Sequence, residues 1–107
     1  MTTQLIATVG DHETQSCRVH CHLCPCTGGG TYEINPPNPQ NSFAKINGKL
    51  ILVNNDSFVA CCAATLNAST TLMKINSIPV VRDGDSVSSP HSNSGVDVIN
   101  QEFARCS

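Results

Sequence analysis

One short sequence segment occurs twice in the chain, and this repeat limits the folds that the chain can adopt. Lys45-Ile46-Asn47-Gly48 returns 29 residues later as Lys74-Ile75-Asn76-Ser77. At the same spacing, Cys62 in one copy corresponds to His91 in the next. A partial third copy, Val9-Gly10-Asp11, stands before a stretch rich in Cys and His. A short unit that returns each time to a metal-ligating side chain predicts repeated elements whose loops converge on one metal.

The apolar residues alternate or form short runs that Gly, Asn, Pro and Ser interrupt, a pattern that favours strands over helices. One hairpin is predicted from residues 42–47 and 49–53, because Asn47-Gly48 favours a tight type I′ turn. A second is predicted from residues 71–75 and 78–82 across Asn76-Ser77. The sequence therefore predicts an all-β domain of hairpin repeats packed around an axis, with the Cys and His loops at one end.

Three further strands are predicted outside the two hairpins, at residues 4–9, 31–34 and 95–99. Residues 98–104 also fit a single helical turn, and the pattern leaves that alternative open. The length of 107 residues fits one domain.

The composition predicts a thin core that needs a further constraint. Charged residues are 13% of the chain, aromatic residues are 4%, and Trp is absent. Such a domain buries little apolar surface, so we expect disulfides, a metal or a partner surface to stabilise it. The net charge of −2 lacks the basic character expected of a protein that binds nucleic acid. No signal peptide is recognisable at the N-terminus, so synthesis in the cytoplasm is expected.

Seven cysteines favour metal ligation over disulfides if the chain stays in a reducing compartment. The alternative for any single one is a buried small apolar side chain. The segment Cys17–Cys26 holds six potential ligands in ten residues, but its spacing is not that of a zinc ribbon or finger. A redox role for Cys21-x-x-Cys24 requires a following helix, and Gly28-Gly29-Gly30 disfavours one.

Asp11, Asp56 and Asp85 stand at matching places in the copies. Paired carboxylates can serve acid–base catalysis, but Asp after Gly or Asn more often closes a turn by accepting backbone N–H groups. No Ser/His/Asp or Cys/His arrangement can be placed in a cleft. The sequence therefore predicts a protein that is not an enzyme.

Two segments, Ser42–Asp56 and Thr71–Asp85, resemble the PAAR repeat, whose pattern is roughly P-T-V-x-I-N-G-K-P-A-A-R-V-G-D. The first copy keeps only the tail of that pattern, Ala7–Asp11. The segment Gly28–Pro39 is similar to the glycine-rich and then proline-rich loop of the family. The resemblance covers nearly the whole chain, as copies at 1–40, 41–69 and 70–107.

The chain departs from the family at the Pro-Ala-Ala-Arg core of the repeat. This core is Leu50-Ile51-Leu52-Val53 in one copy and Pro79-Val80-Val81-Arg82 in the other.

The resemblance implies a small conical domain of three pseudo-threefold β-hairpin repeats with a metal near the vertex. PAAR proteins cap the trimeric β-helical spike of contractile injection machines, one tip per trimer, and sharpen it for piercing the target envelope. It also implies a virion or secreted-particle location, transient contact with the target membrane and no nucleic-acid partner. A phage tail baseplate and a type VI secretion system fit equally. The alternative is a small zinc-binding module for nucleic acid or protein.

The resemblance and the repeat register together imply the metal ligands Cys26, Cys62, His91 and Cys106. Cys62 and His91 match by register, and Cys106 lies near the chain end, where family members often carry a Cys. In the first copy, counting from Asp11 favours Cys17, whereas the glycine-rich loop favours Cys26. This set suits tetrahedral zinc, with iron as an alternative. Four residues could replace one of the set: Cys17, His22, Cys24 and Cys61.

Overall fold

The computed structural model describes residues 3–15, 30–59, 63–89 and 95–107, and every regular element within them is a β-strand. The prediction of an all-β domain is confirmed for these ranges. None of them contains a helix with the length and hydropathy to cross a bilayer. The strands are β1 (Gln4–Leu5), β2 (His12–Gln15), β3 (Gly30–Glu33), β4 (Lys45–Ile46), β5 (Lys49–Leu50), β6 (Ser57–Val59), β7 (Ala63–Asn67), β8 (Lys74–Ile75), β9 (Ile78–Pro79), β10 (Ser86–Ser88) and β11 (Arg105–Cys106).

A closed ring of three backbone hydrogen bonds lies at the centre of the molecule. The N–H of Ala7 donates to the carbonyl of Val81 at 2.9 Å, Val81 donates to Leu52 at 2.9 Å, and Leu52 donates to Ala7 at 3.0 Å. All three residues are fully buried. A ring in which each member donates to one neighbour and accepts from the other relates three segments of the chain by the same contact.

A second set of three hydrogen bonds links the same three segments two positions further along each, with donation around the axis in the opposite sense. Each N–H donates to a carbonyl of a neighbouring segment at 2.8 Å: Val9 to Leu50, Asn54 to Pro79, and Asp83 to Leu5. Residues 7, 52 and 81 are therefore equivalent, and so are residues 9, 54 and 83. The copies are related by steps of 45 and 29 positions.

Both hairpins predicted from the sequence are present, with strands shortened to two residues each. β4 pairs with β5 across Asn47-Gly48, and β8 pairs with β9 across Asn76-Ser77. The φ angles are 53° and 77° in the first turn, and 52° and 68° in the second. Positive φ at both central residues is what a type I′ turn requires.

A third two-stranded ladder has the same form and joins the two ends of the described chain. We call it the third hairpin, although no turn connects its two strands. β11 pairs antiparallel with β1, with Leu5 opposite Arg105 and Gln4 opposite Cys106. This register matches that of β4 and β5, where Leu50 lies opposite Lys45. Residues 101–107 therefore complete the first copy, although the predicted boundaries group them with the third.

The remaining described strands lie beyond the ring. β6, β7 and β10 form a three-stranded sheet in the order β10-β7-β6, and β2 pairs with β3. The predicted strand 95–99 does not form, because within these residues only Asp97 pairs, as an isolated bridge with His12. No helix forms within residues 98–104, so the alternative of a helical turn is wrong.

The core has two parts, which lie on opposite faces of the extended segments that carry the ring residues Ala7, Leu52 and Val81. Alternation along one strand shows this, because Leu52 joins one cluster and its neighbours Ile51 and Val53 join the other. The first cluster contains Ala7, Ile34, Leu52, Phe58, Ala64, Leu66, Val81, Val87, Val96 and Val98. The second cluster contains Ile6, Ile51, Val53, Ile75 and Val80.

Candidate functional site

One buried Asp closes the central turn of each copy, and the predicted role of these carboxylates as turn closures is confirmed. Oδ2 of each accepts the backbone N–H of the residue three positions earlier. The residue before each Asp has a positive φ, which favours Gly or Asn. The three pairs are Asp11 with Thr8 (2.7 Å), Asp56 with Val53 (3.0 Å) and Asp85 with Arg82 (2.8 Å).

The second oxygen of each carboxylate holds the segment that enters an adjacent hairpin. Oδ1 of Asp11 accepts the N–H groups of Ile99 and Asn100 at 2.8 and 3.0 Å. Oδ1 of Asp56 accepts the N–H of Gln40 at 3.1 Å, and Oδ1 of Asp85 accepts the hydroxyl of Ser69. Both oxygens of each carboxylate thus accept hydrogen bonds from the fold itself.

The strands that follow these turns, β2, β6 and β10, run in the same direction. β6 and β10 both pair antiparallel with β7. The start of β2 is antiparallel to the segment around Asp97, through the His12–Asp97 bridge. The neighbouring Val96 exchanges backbone hydrogen bonds with Gly84 and Asp85, which lead into β10, so β2 and β10 flank the same segment. The three strands therefore end on one side of the molecule, at Gln15, Val59 and Ser88.

Three of the four predicted metal ligands, Cys26, Cys62 and His91, lie outside the described residues. In sequence, Cys26 lies in the gap after Gln15, Cys62 in the gap after Val59, and His91 in the gap that follows Ser89. Among the described residues, no group of three His, Cys, Asp or Glu side chains is arranged to hold a metal ion.

The fourth predicted ligand, Cys106, lies in the third hairpin. It is on β11 opposite Gln4, is partly buried, and packs against the second cluster. By the hairpin register its equivalents are Ile46 and Ile75, which belong to or pack against the same cluster. Cys106 therefore stands at an apolar position of the repeat.

Burial raises the pKa of the Cys106 thiol above its ordinary value, while the charge of Arg82 lowers this pKa and that of Asp85 raises it. The net effect is an upward shift, so the thiol stays protonated at neutral pH. A neutral thiol suits the apolar position that Cys106 occupies beside the second cluster.

A second candidate surface lies next to the second cluster, where each copy exposes one large apolar side chain. Phe43 is 63% exposed, Leu72 is 72% exposed and Phe103 is 64% exposed. In the hairpin register these three residues are equivalent, since each stands two positions before the paired cation Lys45, Lys74 or Arg105. The three side chains therefore recur at one level of the fold.

A buried polar side chain fixes the backbone at each of these exposed residues. Oδ1 of Asn41 accepts the N–H of Phe43 at 3.2 Å, and Oε1 of Gln101 accepts the N–H of Phe103 at 2.8 Å. Oγ1 of Thr70 accepts the N–H of Leu72 at 3.2 Å. We call Asn41, Thr70 and Gln101 the cap residues.

The apolar docking end is expected from the sequence, but none of the three exposed apolar residues was predicted to form it, although one signal was present. Phe103-Ala104-Arg105 repeats Phe43-Ala44-Lys45 nearly letter for letter. Comparing the end of the chain with the start of the second copy would have revealed the third hairpin.

Comparison of the chain with protein-family models, with curated proteins and with solved structures finds no match.

Proposed function

We propose that this protein is the tip of a contractile injection machine, a structural cap on the trimeric β-helical central spike. It would sharpen the spike for piercing the target envelope, in a phage tail baseplate or a type VI-like system. The observation that supports this best is the closed ring through Ala7, Leu52 and Val81. The end of a homotrimer offers three identical contacts. A single chain can meet all three alike only if it presents three equivalent surfaces.

The proposed architecture is a small cone with pseudo-threefold symmetry. Its broad end is the side of the second cluster, where the exposed apolar side chains recur. Its vertex is the side where β2, β6 and β10 end. In this arrangement one tip binds one trimer, membrane contact is transient, and the protein has no catalytic or nucleic-acid-binding role. The finished particle carries it on the virion or at the tip of a secreted spike.

A metal near the vertex is part of the proposal. Cys26, Cys62 and His91 supply three of the ligands, and zinc suits them better than iron because Cys and His together favour it. Because Cys106 lies at an apolar position beside the second cluster, the fourth ligand comes from the remaining set: Cys17, His22, Cys24 or Cys61. Structural zinc contributes about 10–16 kcal/mol to the folding of small modules. That is similar to the whole stability of an ordinary domain, about 5–15 kcal/mol.

The test combines stoichiometry with metal content. The purified chain is mixed with a purified trimeric β-helical spike protein of the same particle, and the complex is weighed by native mass spectrometry. We expect one tip per three spike chains, and one zinc per tip by elemental analysis. Three tips per trimer, or no complex, would overturn the proposal. A chain that holds zinc but binds no trimer would favour the small zinc-binding module.

A further inference from the structure

Three short segments, which we call the anchor triplets, present the same pattern at equivalent places. Each consists of an exposed large apolar residue, a residue packed against the second cluster, and an exposed cation. The anchor triplets are Phe43-Ala44-Lys45, Leu72-Met73-Lys74 and Phe103-Ala104-Arg105.

The cap residues fix the backbone from which the exposed apolar side chains project, and so determine where these side chains would meet a partner. Asn41, Thr70 and Gln101 are 1%, 6% and 4% exposed. Burying a polar side chain is unfavourable in free energy unless the side chain is hydrogen-bonded. Each cap residue accepts a hydrogen bond from the backbone N–H of an exposed apolar residue. In the isolated chain this order buries no additional apolar surface at Phe43, Leu72 or Phe103. On docking, it reduces the entropy lost in ordering the contact.

Charge is unevenly placed around the anchor triplets. The three anchor triplets hold three of the six Lys and Arg residues and none of the eight Asp and Glu residues, and the exposed carboxylate of Glu102 directly precedes Phe103. The residue opposite each triplet cation is apolar: Leu50 faces Lys45, Pro79 faces Lys74, and Leu5 faces Arg105. No carboxylate neutralises these cations from the neighbouring strand.

The geometry points to a trimeric partner whose end carries, on each chain, one apolar socket and one carboxylate beside it. Each anchor triplet fills one socket and pairs its cation with the adjacent carboxylate. This inference rests on the proposed function, since it names the chemistry of the surface that the spike must present. A threefold partner is favoured because one chain repeats the same pair of groups three times.

The experiment measures binding kinetics on the purified spike trimer used for stoichiometry. A triple variant, Phe43→Ser with Leu72→Ser and Phe103→Ser, is compared with Val59→Ser, because Val59 is 71% exposed but lies on β6. Lys74→Glu is compared with Lys49→Glu, because both lysines are exposed but the equivalents of Lys49 are Gln4 and Ile78. Thermal unfolding checks that each variant is folded. We expect little change in stability, because all the substituted residues are at the surface.

We expect the apolar triple variant to lose at least about a hundredfold in affinity, because such anchors dominate interfaces. Lys74→Glu should slow association about threefold to tenfold at low salt and flatten its salt dependence. Val59→Ser and Lys49→Glu should each stay within about twofold of the wild type. If Lys74→Glu and Lys49→Glu act alike, the inferred carboxylate is wrong. If the apolar triple variant binds normally, the inferred sockets are wrong. In both cases wild-type binding would leave the spike-tip function standing, whereas failure of the wild type to bind the trimer would overturn both.

Discussion

Cys106 takes the place in the third hairpin that Ile46 and Ile75 take in the other two. A thiol can serve as a ligand or as a small apolar group, and sequence alone does not separate these roles. Distinguishing the two roles requires knowing that Cys106 pairs with Gln4, about a hundred positions away in the chain. No local pattern around residue 106 reports that pairing, so the resemblance could suggest a ligand at Cys106 without showing that the position packs against the second cluster.

Replacing Cys106 with Val tests its role as a packing residue. Because the change is apolar and nearly conserves volume, we expect stability to change by less than about 1.5 kcal/mol and metal content to stay the same. Loss of bound zinc from Cys106→Val by elemental analysis would contradict this. Cys62→Ser is the comparison that should lose metal.

The raised pKa of the Cys106 thiol gives a pH dependence with a defined sign. The folded state favours the neutral thiol, so this contribution to stability is complete below the pKa of the unfolded thiol. It is lost as pH rises through the higher pKa of the folded state. Thermal unfolding between neutral and alkaline pH should therefore show a loss that Cys106→Val reduces. An identical alkaline loss in both proteins would assign it to other groups.

Gly95 is required by a close backbone approach. A Cβ built there would lie 2.7 Å from the carbonyl oxygens of both Gly84 and Asp85, and backbone cannot move aside cheaply. Gly95→Ala should destabilise the protein by about 1–3 kcal/mol in denaturant unfolding. Gly30→Ala is the matched control, because the nearest atom to its added Cβ is 3.8 Å away. Equal effects of the two substitutions would argue against the close approach.

At the scale of elements, local turn chemistry was enough to predict the hairpins β4–β5 and β8–β9. Asn47-Gly48 and Asn76-Ser77 carry their own conformational preference, so no knowledge of the rest of the fold was needed. The strand β10 was missed because its pairing crosses copies: β10 pairs with β7, which belongs to the preceding copy. The apolar residues of β6 also give no clear alternation, since Val59 is exposed beside buried Phe58.

The two turns provide a reciprocal pair of substitutions. Ser77 has a φ of 68°, which costs an L-residue about 1–2 kcal/mol, and Gly relieves this at an entropic cost of about 0.5–1 kcal/mol. Ser77→Gly should therefore stabilise the protein by about 0.5–1 kcal/mol in chemical unfolding.

Gly48→Ser should destabilise the protein by a similar amount, since an added Cβ there meets no atom within 4 Å and only the φ of 77° opposes it. A loss of stability in Ser77→Gly would show that the Ser77 side chain makes a contact worth more than the strain.

At the scale of the whole molecule, one polypeptide builds three equivalent units although its sequence shows two clear copies. The first copy is divided between β1 at one end and β11 at the other, and they meet as a hairpin with the register of the other two. The 29-residue repeat predicted two units directly. The third was predicted only as a tail at Asp11, because its two halves are not contiguous in sequence.

In the proposed assembly, the ring through Ala7, Leu52 and Val81 lies on the threefold axis of a trimeric spike. A cryo-EM map of the tip bound to the spike trimer, reconstructed without imposed symmetry, tests this most directly. We expect the two axes to coincide, and Phe43, Leu72 and Phe103 each to contact a different spike chain. A tip that sits off the axis, or that touches the trimer through only one of these residues, would contradict it.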